Sequence, residues 1–206
     1  MDSDRKRWMD NNKWIPPALI IIAIIYIAIK IYLLSLTQWF ILLILSVLSI
    51  FYIIPSRSDR GIRWLPGLKM QIIALSWSLL IVPFSFDKLL STHTLFIQGA
   101  IVFFFVIALA IPFDLRDIRD DAKTLKTLPQ IIGTKNAVRL SEIILFIIGF
   151  ILFVYTPTLT EKLSHLFFTI TSITLIHYSI HQKPLYYSFW IEGIPFFWIS
   201  GLLIVQ

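Results

Sequence analysis

The residues that could do chemistry are concentrated between Pro112 and Gly133, in PFDLRDIRDDAKTLKTLPQIIG, the one long polar interruption of an otherwise apolar chain. Four of the twelve acidic residues stand close together there: Asp114, Asp117, Asp120 and Asp121. At about 100° per residue, a helix carries Asp114, Asp117 and Asp121 on one stripe and turns Asp120 to its side. Carboxylates at that spacing repel by about a few tenths of a kcal/mol per pair, so the stripe calls for a cation. The nearest source is local, because Arg116, Arg119, Lys123 and Lys126 interleave the acids and would make a self-neutralised loop helix.

Three other sets of residues invite a chemical reading. Arg63 and Lys69, in SDRGIRWLPGLKM, could clamp an anion near the membrane face that carries the acids, although a basic loop also serves to fix topology. Glu192, in SFWIEGIPFFW, stands about one turn inside an apolar run, where a carboxylate is costly and usually has a partner, here a loop base or the cation of a ligand. Gly193 and Pro195 would relax the helix beside it. His177 and His181 have the i, i+4 spacing of a metal pair on a helix, but no zincin-type Glu follows and no third ligand is near, which favours interfacial histidines. Asp2, Asp4 and Asp10 read as acids of a solvated N-terminal arm.

The elements that must position these groups are membrane spans. The chain is 57% hydrophobic and only 15% charged over 206 residues, far from the composition of a soluble domain. Seven apolar runs can be read, most near the ~20 residues that cross a bilayer: 15–36, 39–54, 68–84, 95–113, 137–155, 163–180 and 188–205. The expected fold is therefore all-α, a single polytopic membrane bundle of about seven helices over residues 1–206. The first run lacks a small-residue cleavage site and reads as a retained helix. Trp77, Phe84, Phe86 and Phe103 to Phe105 read as packing or lipid contacts. Pro112 should bend the fourth helix or free a carbonyl, setting the direction of Asp114.

Alternating the runs places most of the 18 bases on the side of the acidic loop. Only Lys88 and Lys162 fall on the other side, and Lys30 lies late in the first run. The positive-inside rule then puts the N-terminus and the acidic loop in the cytoplasm and the C-terminus across the membrane. The net charge of +6 thus points to orientation, not to nucleic acid. The absence of cysteine excludes disulfides and thiolate chemistry.

DLRDIRDDAKTLKTLPQIIG, with Asp114, Asp117 and Asp121 followed by Thr127, Leu128, Pro129 and Gly133, resembles the second aspartate-rich motif of the UbiA superfamily of membrane prenyltransferases. The upstream Tyr/Pro/basic loop and LKMQIIALSW are similar to the corresponding family segment. The resemblance implies a bundle of about nine spans around a cavity, capped by two aspartate-rich loops that bind Mg²⁺ and an isoprenyl diphosphate. It makes Asp114, Asp117 and Asp121 the metal-binding and catalytic carboxylates, with Arg63 and Lys69 on the diphosphate; Glu192, read from its own place in the last apolar run, is an accessory group of the polar site. Loss of diphosphate would leave an allylic cation, steadied by aromatic faces until an acceptor attacks. The family's first aspartate motif has no counterpart here, and the likeness covers about the last two thirds to three quarters of the family's length. The competing expectation is a noncatalytic or shortened relative that serves as a membrane binding or assembly protein. A transporter built on Glu192 ranks last, because intramembrane charges are few.

Overall fold

The computed structural model describes residues 11–53, 68–86, 92–118 and 127–196, and among the described residues all regular structure is helical. Helix α1 (Ile15–Lys30) opens on Pro16 and Pro17, where a missing N–H costs nothing, and runs into a 3₁₀ turn at Ile31–Leu33. None of its residues is buried, so it is apolar and exposed on every side, the signature of a helix whose solvent is lipid.

Helix α2 (Leu36–Ile53) starts earlier than its apolar run because Ser35 and Gln38 cap it reciprocally. The Ser35 N–H donates to Gln38 Oε1 at 2.9 Å, and the Gln38 N–H donates to Ser35 Oγ at 3.3 Å. Then come α3 (Leu68–Phe86), α4 (Thr92–Asp117), the short α5 (Leu128–Ile132), α6 (Thr134–Tyr155) and α7 (Leu159–His177). The last element, α8, begins at Pro184–Tyr186, widens into a π turn at Tyr187–Ile191 and stays helical over 192–196. Gly133, at φ 85°, makes the left-handed step from α5 into α6, which a side chain would resist.

The chain divides into two compact units, Met1–Leu42 and Leu43–Gln206. In the second, α3 packs on α4, α4 on α6 and α6 on α7, while α8 lies against α4 and α7. Ile101, Phe105, Ala108 and Ile111 of α4 meet Leu145, Ile148, Phe168 and Ile176 in the core. The sequence reading of the aromatics divides between both expected roles. Phe105 is buried on Phe168, with ring centroids 5.9 Å apart, whereas Trp77 and Phe104 are about half exposed.

Among the described residues, three helices are long and apolar enough to cross a membrane, Ile15–Leu33, His93–Asp117 and Thr134–Tyr155, and they mark this as a membrane protein. Leu36–Ile50 and Leu68–Phe84 are shorter apolar helices. Helix α7 is more polar, but two of its hydroxyls fold back on their own backbone: Thr169 Oγ1 donates to the His165 carbonyl at 2.7 Å and Thr174 Oγ1 to that of Ile170 at 2.8 Å.

Candidate functional site

Consecutive antiparallel helices bring one end of α4 to the start of α3, the start of α6, the end of α7 and the start of α8. The acids arrive there because α4 does not stop at its proline. It runs through Pro112 to Asp117, extending the apolar run 95–113 by a turn into the acidic stretch. Pro112 has no N–H to donate to the carbonyl of Ala108, four residues earlier, so that oxygen loses its helical partner. Ser141 of α6 supplies the replacement: its hydroxyl, fully buried, donates to the Ala108 carbonyl at 2.6 Å. The expected freed carbonyl is thus where α6 grips α4, less than two turns from Asp114.

The two described acids of the stripe have different cations. Asp114 is buried, and Lys69 at the start of α3 donates to its Oδ1 at 3.4 Å across 45 positions of sequence. Asp117 is held by its neighbour, with Arg116 Nε to Oδ1 at 2.6 Å and Nη2 to Oδ2 at 3.0 Å. Adjacent side chains on a helix point about 100° apart, and this fork–fork pair forms at the last residues of the helix. The Arg116 guanidinium also lies 5.2 Å from the centroid of the Phe113 ring. The local neutralisation read from the interleaved bases therefore holds for Asp117, while Asp114 draws its cation from another helix.

Arg116 is held first by Asp117, and the charge of Glu192 on α8 acts on it more weakly. Glu192 itself is exposed, immediately after the π turn, so the relaxation expected at Gly193 and Pro195 is realised one turn earlier. Asp121 and Arg63 lie outside the described residues, as do Asp120, Arg119, Lys123 and Lys126.

The histidine spacing does not survive the fold. Helix α7 ends at His177, and His181 lies beyond it at φ 63°, in a left-handed turn, so the two rings share no helix face. His177 Nδ1 instead pairs with Glu142 Oε1 of α6 at 2.8 Å. Among the described residues, no group of three or more His, Asp or Glu is placed to hold a metal ion.

Sequence reasoning missed the groups that fasten α8. The Tyr186 hydroxyl donates to the Leu175 carbonyl at 2.7 Å, and the buried Tyr187 hydroxyl donates to the carbonyl of Ser179. A Tyr-Tyr pair one residue after Lys-Pro was the available signal, since a tyrosine at a polar–apolar boundary buries its ring and needs a partner for its hydroxyl.

Fold and site together define a helical membrane protein with a charged cluster gathered at one end of its bundle. No family model, no curated protein and no solved structure matches the chain.

Proposed function

We propose that this chain is a UbiA-like membrane protein of about seven spans, with the acidic end in the cytoplasm, that transfers an isoprenyl group from its diphosphate to an acceptor. The observation that carries the reading is the meeting of Asp114 and Asp117 with Lys69 and Arg116 at one bundle end, beside Phe113. Two carboxylates one helical turn apart match the number that Mg²⁺ takes when phosphate oxygens and water complete its shell. Each is already matched by a cation, so the donor set fits a metal–diphosphate pair better than a bare metal. Asp114, Asp117 and Asp121 would hold the ion, which when bound would neutralise the leaving diphosphate as a Lewis acid.

The protein's own groups do the rest. A diphosphate entering between the acids and bases gives Lys69 and Arg116 a second class of partner, with Arg63 the further contact that the sequence resemblance implies, and Arg116 can grip phosphate oxygens with the fork it now gives Asp117. The carbon–oxygen bond to the prenyl group breaks with its electron pair going to diphosphate. The Phe113 face, which Arg116 leaves on turning to the phosphate, would steady the allylic cation until the acceptor bonds to the prenyl carbon and releases a proton to water. Glu192 trims the positive field at Arg116.

A second reading, a noncatalytic binding or assembly protein with the same scaffold, is favoured by the Arg116–Asp117 pair, since carboxylates satisfied within the chain need no metal to be stable. Thermal unfolding of the full chain in detergent separates these readings. With Mg²⁺ and farnesyl diphosphate together, at about 100 times the dissociation constant, linkage stabilises by about 2.7 kcal/mol, whereas either alone gives little. Asp117→Asn abolishes the shift. An equal shift in wild type and Asp117→Asn removes this residue from the site, and a shift without prenyl transfer to any acceptor leaves the binding protein.

A further inference from the structure

The far end of the bundle carries a feature that the charged cluster does not use. Between α6 and α7 runs an open groove of about 270 Å³, walled by Phe146, Phe150 and Phe153 on one side and by Leu166 and Ile170 on the other. Its floor is the close approach of Gly149 to Thr169. A methyl group on Gly149 would come within 2.2 Å of Thr169 Oγ1, so only glycine allows the helices to meet there.

The chemistry of the groove selects its occupant. Thr169 is the one hydroxyl in the lining; it is buried and its proton is committed to the His165 carbonyl at 2.7 Å, so the walls offer a ligand no free donor. A polar molecule entering would lose its hydrogen bonds to water without replacement, whereas a hydrocarbon chain loses nothing. The volume is below the usual range for drug-sized ligands, which suits a single chain. From Phe146 to Phe153 the groove runs about 10 Å along the helix axis, the direction of an acyl chain in a leaflet.

At the end of this groove stands a cation. Lys162, one turn into α7 and half-buried, holds its ammonium 5.5 Å from the centroid of the Phe153 ring. Among the described residues no carboxylate pairs with it, and its neighbour Glu161 accepts instead from the Thr158 hydroxyl at 2.6 Å. An apolar slot along the bilayer normal with a lysine at its interfacial end complements one kind of molecule.

We propose that the α6–α7 groove is a binding site for an anionic phospholipid, with one acyl chain against Gly149 and Thr169 and the headgroup phosphate on Lys162. The site lies at the bundle end opposite Asp114 and does not depend on the diphosphate reading.

The test is retention of lipid by the full chain purified in mild detergent, with phosphatidylglycerol or phosphatidylcholine of the same acyl chains added and bound lipid counted by native mass spectrometry. Wild type retains phosphatidylglycerol about fivefold better, the preference that one lysine near an anionic headgroup supplies. Lys162→Gln brings the two lipids to equality. Leu166→Trp, or independently Ile170→Trp, fills the groove from exposed positions and lowers retention of both. Asp114→Asn changes neither. Equal retention of the two lipids by wild type, a preference that persists in Lys162→Gln, full retention in both tryptophan variants, or a lipid-free dimer joined through this face would each overturn the proposal.

Discussion

At the scale of single residues, the two acids at the end of α4 illustrate how one stripe divides into two environments. Asp114 is buried and takes its cation from Lys69 on another helix, while Asp117 is a third exposed and takes its own from the next residue. Stability should therefore respond unequally. Lys69→Met removes a partly buried hydrogen bond to a charged group, worth about 1.5–3 kcal/mol, and the 3.4 Å separation places it toward the lower end. Arg116→Gln disturbs a more solvated pair and should cost under about 1 kcal/mol. Thermal unfolding of the two variants in the same detergent measures the difference. Equal costs would mean that Lys69 adds nothing beyond a surface charge. The stripe itself was legible from the i, i+3 spacing of the acids, but spacing along one helix does not name the other helix that answers it.

Among the elements, the junction of α4 and α6 rests on a proline and a serine. Pro112 orphans the Ala108 carbonyl, and Ser141 satisfies it from the neighbouring helix at 2.6 Å. Ser141→Ala leaves that buried oxygen without a partner, at a cost of about 1–3 kcal/mol. In the Pro112→Ala background the helix again supplies an N–H to Ala108, so the same serine substitution should cost markedly less. A double-mutant cycle read by thermal unfolding should give a coupling of about 0.5–3 kcal/mol, and additive effects would refute the link. Three helix starts share a further local device: Ser35 with Gln38, Thr127 with Gln130 and Thr158 with Glu161 stand at Ser/Thr-x-x-Glu/Gln spacing. Gln130 Oε1 accepts from the Thr127 N–H at 3.1 Å, and the Thr158 hydroxyl accepts from the Glu161 N–H at 3.4 Å. These signals are written in the sequence; they explain why α2 and α7 begin upstream of the apolar runs that a hydropathy reading detects, and the Thr127 box starts the short α5.

For the molecule as a whole, the proposed orientation follows from where the bases fall. Because the chain contains no cysteine, a single introduced thiol reports one site. Asn136 and Thr160 are exposed at opposite ends of the α6–α7 hairpin. Asn136→Cys should react with an impermeant maleimide only from the cytoplasmic side of sealed vesicles, and Thr160→Cys only from the other. Labelling of both from one side would show that α6 does not cross the bilayer, and reversed labelling would invert the orientation.

Composition alone determined that the chain is helical and belongs in a membrane, because lipid offers backbone groups no hydrogen bonds and only a helix satisfies all of them within one segment. The order of apolar runs and the bounds of the acidic stretch followed from the same local physics. Pairing across helices did not, since a residue's partner depends on the rotation and depth of two packed cylinders. Hence the i, i+4 spacing of His177 and His181, already read as interfacial rather than as a metal pair, gave no hint that α7 ends at the first of them and that Glu142 takes it. Lys69 could be read as facing an anion, but that the anion within the chain is Asp114 was decided only when α3 and α4 packed antiparallel and set the two residues at the same end.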